Sequence, residues 1–238
     1  MNNVNLIALS RPSASTDCHT ASELVAYTAR VSNPTNQSNK KTAPKLLKYL
    51  MKENHWSPFE MVHMTMEIKT TRDIARQIIR HRSFSYQEFS QRYAEAKVFE
   101  TREARLQDET NRQNSIPTDD STLKEWWNMS QQSMIRYSKK AYEEALEKGI
   151  AKEQARALLP EGLTESTLYM AGSLRSWIHY CDLRRANGTQ KEHMDIAEQC
   201  WDIITVHFPE LGLRGETEPK HRIVDDAGVD IETGKFTG

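Results

Sequence analysis

The scarcity of glycine is the feature that most restricts what this chain can fold into. Only nine of the 238 residues are glycine, whereas an average usage of about 7% would give roughly 17. No two of them fit the pattern G-x-G-x-x-G, and the pattern G-x-x-x-x-G-K-[ST] is missing as well. The chain therefore has neither the dinucleotide-binding loop of a Rossmann fold nor a P-loop. Any phosphate that it binds must be held by side chains or by ordinary helix N-termini.

The charges of the chain nearly cancel. Lys and Arg together number 32 and Asp and Glu 33, which gives a formal net charge of -1. This balance is untypical of proteins whose main partner is bulk nucleic acid or an anionic membrane, because such proteins carry an excess of basic residues. Only 37% of the residues are hydrophobic. A chain of this length then either exposes much polar surface or buries some surface between subunits, and we expect an oligomer.

Cysteine usage bears on the compartment and on metal binding. The three cysteines, Cys18, Cys181 and Cys200, form no C-x-x-C pair. An odd number of cysteines without a signal-peptide pattern indicates a reducing, cytoplasmic location. No apolar run is long enough to span a membrane. The chain also has no H-E-x-x-H motif, and we predict no metal site.

The hydrophobic pattern changes its period along the chain and predicts both strands and helices. Apolar and polar residues alternate from Met61 to Lys69, which predicts a half-buried strand, and residues 163–172 are compatible with a second strand. Thr71 is expected to cap the helix that follows, and Thr189 with Glu192 resembles a capping box. Helices are predicted over residues 21–31, from Pro44 onward, after Thr71, and over 119–148, 152–159, 173–185 and 189–208. The pattern favours one α/β (α+β) domain, in which residues 94–117 are left unassigned.

Residues that can bind an anion are concentrated between Arg72 and Arg92. This segment contains five arginines and no lysine, and few acidic residues accompany them on the predicted helix. Arg80-His81-Arg82 falls at the C-terminal end of that helix, where the helix dipole favours cations. Guanidinium groups bind phosphate and carboxylate through two parallel hydrogen bonds. The residue types favour a site for an anionic ligand, although a solvated basic turn is the simpler interpretation.

The same segment carries a recognisable motif. Arg80-His81-Arg82, seven residues and then Ser90 resemble the R-H-R-x7-S signature of the flavin-dependent thymidylate synthase (ThyX) family. Four further stretches are similar to blocks of that family, namely residues 29–32, 55–60, 155–160 and 173–184. The resemblance extends from residue 25 to residue 208. The chain departs from the family pattern at Gln87, Ser173 and His179.

The resemblance implies both a fold and a reaction. It implies a single-domain subunit with a central mixed or antiparallel sheet flanked by helices. We assign residues 1–211 to this domain and residues 212–238, which are polar and match no block of the family, to a C-terminal tail. The resemblance also implies a homotetramer with sites built from more than one subunit. The implied reaction converts dUMP to dTMP, with 5,10-methylenetetrahydrofolate as methylene donor and tightly bound FAD, reduced by NADPH, as hydride source. Neither nucleic acid nor a membrane is an implied partner.

The resemblance also implies a role for each matching position. Arg184 would activate the uracil ring by stabilising its anionic form, and His55 would lie near the exposed edge of the flavin. The implied contacts to FAD are Ser57, Arg80, His81, Arg82, Glu88, Ser173, Arg175 and His179. The implied contacts to dUMP are Gln77, Arg80, Glu88, Ser90, Arg92, Arg156 and Arg184.

Three alternatives stay open at this point. Arginines interleave with aromatic residues over 72–93, so the segment could be an RNA-binding module that uses stacking and phosphate contacts. The chain could also be a homologue that binds flavin without turnover. Cys181 lies in the helix that carries Arg175 and Arg184, and a cysteine nucleophile that adds to C6 of the pyrimidine is the third alternative. The apolar neighbours of Cys181 favour packing instead.

Overall fold

The computed structural model describes residues 3–186 and 188–211; the predicted tail, 212–238, lies outside them. The helices in these ranges are α1 (Ala21–Ala29), α2 (Ala43–Lys52), α3 (Arg72–Ile78), α4 (Ser121–Glu147), α5 (Lys152–Ala155), α6 (Leu174–Arg184) and α7 (Lys191–His207). The strands are β1 (Asn3–Leu9), β2 (His63–Thr71), β3 (Ser85–Glu88), β4 (Arg105–Gln107), β5 (Ser115–Pro117) and β6 (Glu165–Ser173). Short 3-10 helices include Ser57–Met61 and Arg156–Leu158.

The centre of the fold is a four-stranded antiparallel sheet in the order β1-β2-β6-β3. Strands β2 and β6 pair over nine residues, from His63 opposite Ser173 to Thr71 opposite Glu165. Helix α3 follows β2 directly and helix α6 follows β6 directly. Because the two strands run in opposite directions, the two helices begin at opposite ends of the sheet. An antiparallel sheet flanked by helices is the architecture that the sequence resemblance implies.

The alternating pattern of β2 is borne out by the burial of its side chains. Met64, Met66 and Ile68 are 0–1% exposed, and Met66 lies opposite Met170 on β6. The intervening residues are less buried, so one face of the strand faces the core and the other does not. Burial of a Met or Ile side chain contributes about 1.5–3 kcal/mol, and this row therefore fixes the register of β2.

Most predicted helices are confirmed, but the predicted capping box of α7 is wrong and the predicted cap of α3 is confirmed only in its position. Gln190, not Thr189, occupies the N-cap of α7, and no side chain caps that end. Glu192 does not reach back to the backbone, because its carboxylate accepts hydrogen bonds from Arg105 and Gln190. Thr71 is the N-cap residue of α3, but its hydroxyl accepts no hydrogen bond from a backbone N–H of the helix and donates instead to the Asp73 carboxylate.

Three parts of the fold carry no clear sequence signal. Strand β1 alternates poorly between buried and exposed residues, and β3 has only four residues. The unassigned stretch 94–117 contains the small hairpin β4-β5, which forms a separate sheet. Helix α4, by contrast, is predicted over residues 119–148 and is observed over Ser121–Glu147. None of the helices within residues 3–186 and 188–211 is long and apolar enough to cross a membrane.

We predict that Gly172→Ala destabilises the protein while Gly162→Ala does not. A Cβ added at Gly172 would lie 2.5 Å from Cδ1 of Phe84, whose ring packs edge-on against Trp177. The displaced ring should cost about 1–2 kcal/mol, more than the gain of under about 1 kcal/mol from a stiffer unfolded chain. At Gly162 the nearest atom is 4.0 Å from the added Cβ. Urea unfolding of both variants measures the difference, and equal stability would contradict the packing described for Phe84.

Candidate active site

The turn that follows α3 contacts the C-terminal end of α6, and this contact brings together four of the predicted site residues. Nε of Arg184, the last residue of α6, donates a hydrogen bond of 2.8 Å to Nε2 of His81. Arg80 and Arg82 flank His81 and are exposed, and within the described ranges neither has an acidic partner. Helix C-termini carry partial negative charge and stabilise nearby cations. We name Arg80, His81, Arg82 and Arg184 the guanidinium cluster.

His81 is held neutral in this cluster. Burial, together with the charges of Arg184 and Arg80, lowers its pKa from 6.5 to about 4, and burial is the largest of these causes. Because a guanidinium can only donate, Nε2 of His81 must be the acceptor and the ring proton must reside on Nδ1. Neutral His81 can therefore orient Arg184 without adding a positive charge beside it.

Tyr86 forms hydrogen bonds to the turn that carries Arg80, His81 and Arg82. The hydroxyl of Tyr86 lies 2.8 Å from the carbonyl oxygen of His81 and 3.0 Å from that of Ile78. Burial raises the pKa of this hydroxyl to about 12, so it remains a donor. Since Tyr86 belongs to β3, the turn between α3 and β3 is tied to the edge of the sheet.

Behind the cluster lies a buried histidine that the sequence analysis missed. His193 on α7 is 0% exposed; its Nε2 is 3.1 Å from the hydroxyl of Tyr180, and its Nδ1 is 3.4 Å from Oε1 of Gln77. Burial is the largest cause that lowers the pKa of His193, to about 3. The available signal was its helical spacing to Ile196 and Cys200, which are buried residues of the same helix face.

A second group of predicted residues surrounds the N-terminal half of α6. Ser173 is the N-cap of α6, and its hydroxyl accepts a hydrogen bond of 3.3 Å from the backbone N–H of Ser176. Arg175 forms an ion pair with Glu60, which belongs to the 3-10 helix that begins with Ser57. We name Ser57, Ser173, Arg175 and His179 the α6 group.

Aromatic contacts tie His179 to the segment before Ser57. The ring of His179 lies 4.6 Å from that of Trp56, centroid to centroid. His55 is exposed and packs edge-on near Tyr49 at 6.1 Å. The structure therefore brings two blocks that are far apart in sequence, residues 55–60 and 173–179, to one place on the surface.

A third group lies beyond β3, beside α5. The hydroxyl of Ser90 accepts a hydrogen bond of 3.4 Å from the backbone N–H of Arg92. The side chain of Arg92 is 60% exposed and lies 3.4 Å from the Glu153 carboxylate. Nε of Arg156 donates to the backbone carbonyl of Glu153 at 3.2 Å. We name Ser90, Arg92 and Arg156 the Arg92 group.

The arginines within α3 have acidic partners, contrary to the expectation from the sequence. Arg72 is 8% exposed and lies 3.5 Å from the Glu88 carboxylate, which also accepts a hydrogen bond of 2.9 Å from Ser166. Arg76 pairs with Glu161 at 3.0 Å. These partners come from distant parts of the chain, which is why the local sequence does not show them. Glu88 therefore stands on the edge strand with an arginine already beside it.

The predicted residues lie outside the cavity between β4-β5, α4 and the start of α7. That cavity has a volume of about 580 Å³, and Gln190 is the lining residue that contacts predicted residue Gln77. None of the predicted FAD or dUMP residues lines it. The three groups described above instead face the outside of a single chain.

The cysteines are placed for packing. Cys181 and Cys200 are 0% exposed, and burial raises the pKa of both thiols. A thiol that stays protonated is a poor nucleophile. Cys18 is partly buried and lies near Thr16, far in sequence from the signature. In residues 3–186 and 188–211, no group of three His, Cys, Asp or Glu side chains is arranged to hold a metal ion.

Comparisons with known proteins identify relatives of this chain. Residues 15–210 match the family Thy1, thymidylate synthase complementing protein. A probable flavin-dependent thymidylate synthase of Paramecium bursaria Chlorella virus 1 is 52% identical over 212 residues, which cover 87% of this chain and 95% of the relative. The flavin-dependent thymidylate synthase of Synechocystis sp. is 52% identical over 208 residues, with the same coverage of both chains.

A solved structure is similar as well. The crystal structure of the UMP/dUMP methylase PolB from Streptomyces cacaoi, bound with 5-Br dUMP, superimposes with a TM-score of 0.76. The two chains are 25% identical, and the match covers 92% of this chain and 98% of PolB. The fold described above is therefore one that is found in a nucleotide methylase.

We predict that the free energy of unfolding falls as the pH is lowered from 7.5 to 5.5, partly because of His81. The folded pKa of about 4 lies below the ordinary value of 6.5, so in this window the unfolded chain takes up a proton that the folded chain does not. His81→Gln keeps an acceptor for Arg184 and should reduce the change in the free energy of unfolding between these two pH values. His63→Gln, at an exposed position, is the control. Urea unfolding at both pH values tests this, and a change in His81→Gln as large as in the unsubstituted protein would contradict it.

Proposed function

Because the chain belongs to the flavin-dependent thymidylate synthase family, we propose that it converts dUMP to dTMP at a site centred on the guanidinium cluster. The chain is a flavin-dependent methyltransferase of the thymidylate synthase class. The proposal adds 5,10-methylenetetrahydrofolate as the methylene donor and NADPH as the reductant. It is carried by one observation, the hydrogen bond between Arg184 and His81. That bond joins two motif blocks 103 residues apart in the chain.

The residues present suit FAD, which carries two phosphates. Arg80 and Arg82 are exposed arginines without an acidic partner in the described part of the chain, and they would bind the pyrophosphate through guanidinium forks. His81, Glu88 and the α6 group would hold the rest of the cofactor. When bound, reduced FAD supplies the hydride that completes the methyl group. The glycine-poor sequence is compatible with this mode, because side chains replace a phosphate-binding loop.

Arg184 would act on the pyrimidine. Its guanidinium is partly buried and oriented by neutral His81, so its positive charge is available on the remaining N–H groups. A cation beside the N3–C2=O2 edge of uracil would stabilise negative charge on the ring and raise the electron density at C5. Such preorganised charge is worth several kcal/mol when the reacting group develops charge. We therefore assign Arg184 to activation of dUMP.

The phosphate of dUMP would be bound by the Arg92 group. Arg92 lies beside the Glu153 carboxylate, whereas Arg156 donates to the backbone carbonyl of the same residue. Arg92 is exposed and Arg156 is partly exposed. The hydroxyl of Ser90 adds a hydrogen-bond donor. Gln77 and Glu88 would contact the nucleoside. A surface arginine–carboxylate pair contributes little on its own, about 0–1 kcal/mol, so a phosphate can displace it at low cost.

We propose that the site is completed by a second subunit, in a homotetramer. The guanidinium cluster, the α6 group and the Arg92 group are each built from their own contacts and face outward from one chain. Helix α4 exposes apolar side chains, among them Trp126 at 56% and Tyr137 at 75%, which would be covered by subunit contacts. A cytoplasmic location stays a prediction from the cysteine usage.

Replacement of Arg184 by Ala should lower the rate of dTMP formation by about 100-fold or more and leave FAD bound. The reason is that Arg184 would stabilise charge on the pyrimidine, whereas the proposed cofactor contacts lie on other residues. The measurement is dTMP production from dUMP, methylenetetrahydrofolate and NADPH, with flavin absorbance as the control for cofactor binding. Near-normal turnover would show that the assignment of Arg184 is wrong.

Mixed tetramers test the shared site. Arg184→Ala and Arg92→Ala subunits should each be nearly inactive alone. After dissociation and reassembly together, some sites would combine the intact Arg184 of one subunit with the intact Arg92 of another, and dTMP formation should return in part. A matched mixture of Arg184→Ala with Arg184→Lys subunits should show no such recovery. Complete inactivity of the first mixture, with tetramers present, would place both arginines in one subunit's site.

A further inference from the structure

Behind the candidate site, five side chains form one continuous row of hydrogen bonds. The hydroxyl of Tyr180 is 3.1 Å from Nε2 of His193, and Nδ1 of His193 is 3.4 Å from Oε1 of Gln77. Nε2 of Gln77 donates to Oε1 of Gln190 at 2.7 Å. Nε2 of Gln190 donates to Oε2 of Glu192 at 2.9 Å. The row runs from Tyr180 on α6 through His193 on α7 and Gln77 on α3 to Gln190 and Glu192, at the N-terminal end of α7.

The carboxylate end of this row admits only one direction of donation. Glu192 is ion-paired with Arg105, and an ionised carboxylate can only accept hydrogen bonds. Gln190 must therefore present its amide nitrogen to Glu192 and its amide oxygen to Gln77. It follows that Gln77 directs its nitrogen to Gln190 and its oxygen to His193.

The same direction of donation determines the tautomer of His193. Its Nδ1 must carry the proton to donate to the oxygen of Gln77, so its Nε2 accepts from the hydroxyl of Tyr180. Burial lowers the pKa of His193 to about 3, so the ring is neutral. Burial also raises the pKa of Tyr180 well above its ordinary value, so the hydroxyl keeps its proton. Every member of the row can then satisfy its partner at once.

We propose that His193 is a positioning residue that holds the amide of Gln77 in the orientation that binds the nucleotide. This inference rests on the proposed function, in which Gln77 contacts dUMP. Nε2 of Gln77 has two hydrogens and Gln190 takes one, which leaves a donor for an acceptor oxygen of the nucleotide. Both contacts are needed, with His193 on the oxygen of Gln77 and Gln190 on its nitrogen. If either contact is lost, the amide is held from one side only and turns more often so that its own oxygen faces that acceptor. Two acceptors facing each other would weaken binding.

The matched substitutions His193→Asn and His193→Gln separate the two nitrogens of the ring. The amide of Asn reaches the position of Nδ1 and can still donate to Gln77, whereas the longer Gln reaches the position of Nε2 and serves only Tyr180. We expect His193→Gln to raise the KM for dUMP by about tenfold, as for one lost hydrogen bond to the nucleotide, with kcat within about threefold. For His193→Asn, the KM should stay within about threefold of the unsubstituted enzyme. Equal KM values in the two variants would overturn the proposal.

A double substitution tests whether His193 acts through Gln77. Gln77→Ala alone should raise the KM for dUMP by about tenfold, and His193→Gln combined with Gln77→Ala should be no worse than Gln77→Ala alone. If the KM of the double variant were raised by the product of the two single effects, His193 would act independently of Gln77, and the proposal would be overturned. Flavin absorbance and the melting temperature of each FAD-bound enzyme verify that the variants are folded.

If the buried variants do not fold, Gln190→Ala tests the row from its partly exposed end. This substitution removes the acceptor that holds the nitrogen of Gln77, and it should also raise the KM for dUMP. Combined with Gln77→Ala, it should raise the KM no further than Gln77→Ala does alone. A normal KM in Gln190→Ala would overturn the proposal. Normal dUMP binding by Gln77→Ala, in an enzyme that makes dTMP, would overturn this inference alone. Failure of the unsubstituted protein to make dTMP would instead overturn the proposed function.

Discussion

The approach of two helix C-termini, at His81 and Arg184, is the constraint on which the rest of the candidate site depends. It follows from the antiparallel pairing of β2 with β6, because each strand leads directly into a helix and the two helices begin at opposite ends of the sheet. The partial negative charge at the helix ends favours the three arginines there. A neutral His81 between them limits their mutual repulsion. The remaining positive charge makes the cluster suited to bind anions, and we propose that these are the phosphates of a flavin and the activated pyrimidine.

Much of the fold follows from local patterns in the sequence. The alternation in β2 predicts its buried face because each apolar side chain there lies in the core. Gly149, with a φ of 82°, follows the end of α4, where the sequence predicts that the helix stops. The contact between Arg184 and His81 is different. It depends on the register between β2 and β6 and on the lengths of two helices, which no local pattern encodes, so only the resemblance to a family places both residues in one site.

Several of the failed predictions have one physical cause, namely a partner supplied by a distant segment. Thr189 and Glu192 have the spacing of a capping box, yet Arg105 from the β4-β5 hairpin and Gln190 take the carboxylate. Arg72 and Arg76 pair with acids on other elements. His193 is hidden from motif analysis because it is one polar residue on a buried helix face, where its role depends on Tyr180 and Gln77. Contacts between subunits are likewise beyond local sequence patterns, although they are needed to complete the proposed site.

The most direct test of the central claim is the crystal structure of the protein with FAD and dUMP bound. The account predicts flavin phosphates on Arg80 and Arg82, the uracil ring within hydrogen-bond distance of Arg184, and the nucleotide phosphate on the Arg92 group of a neighbouring subunit. Electron density for both ligands in the cavity of about 580 Å³ beside α4, with the guanidinium cluster facing solvent, would contradict it.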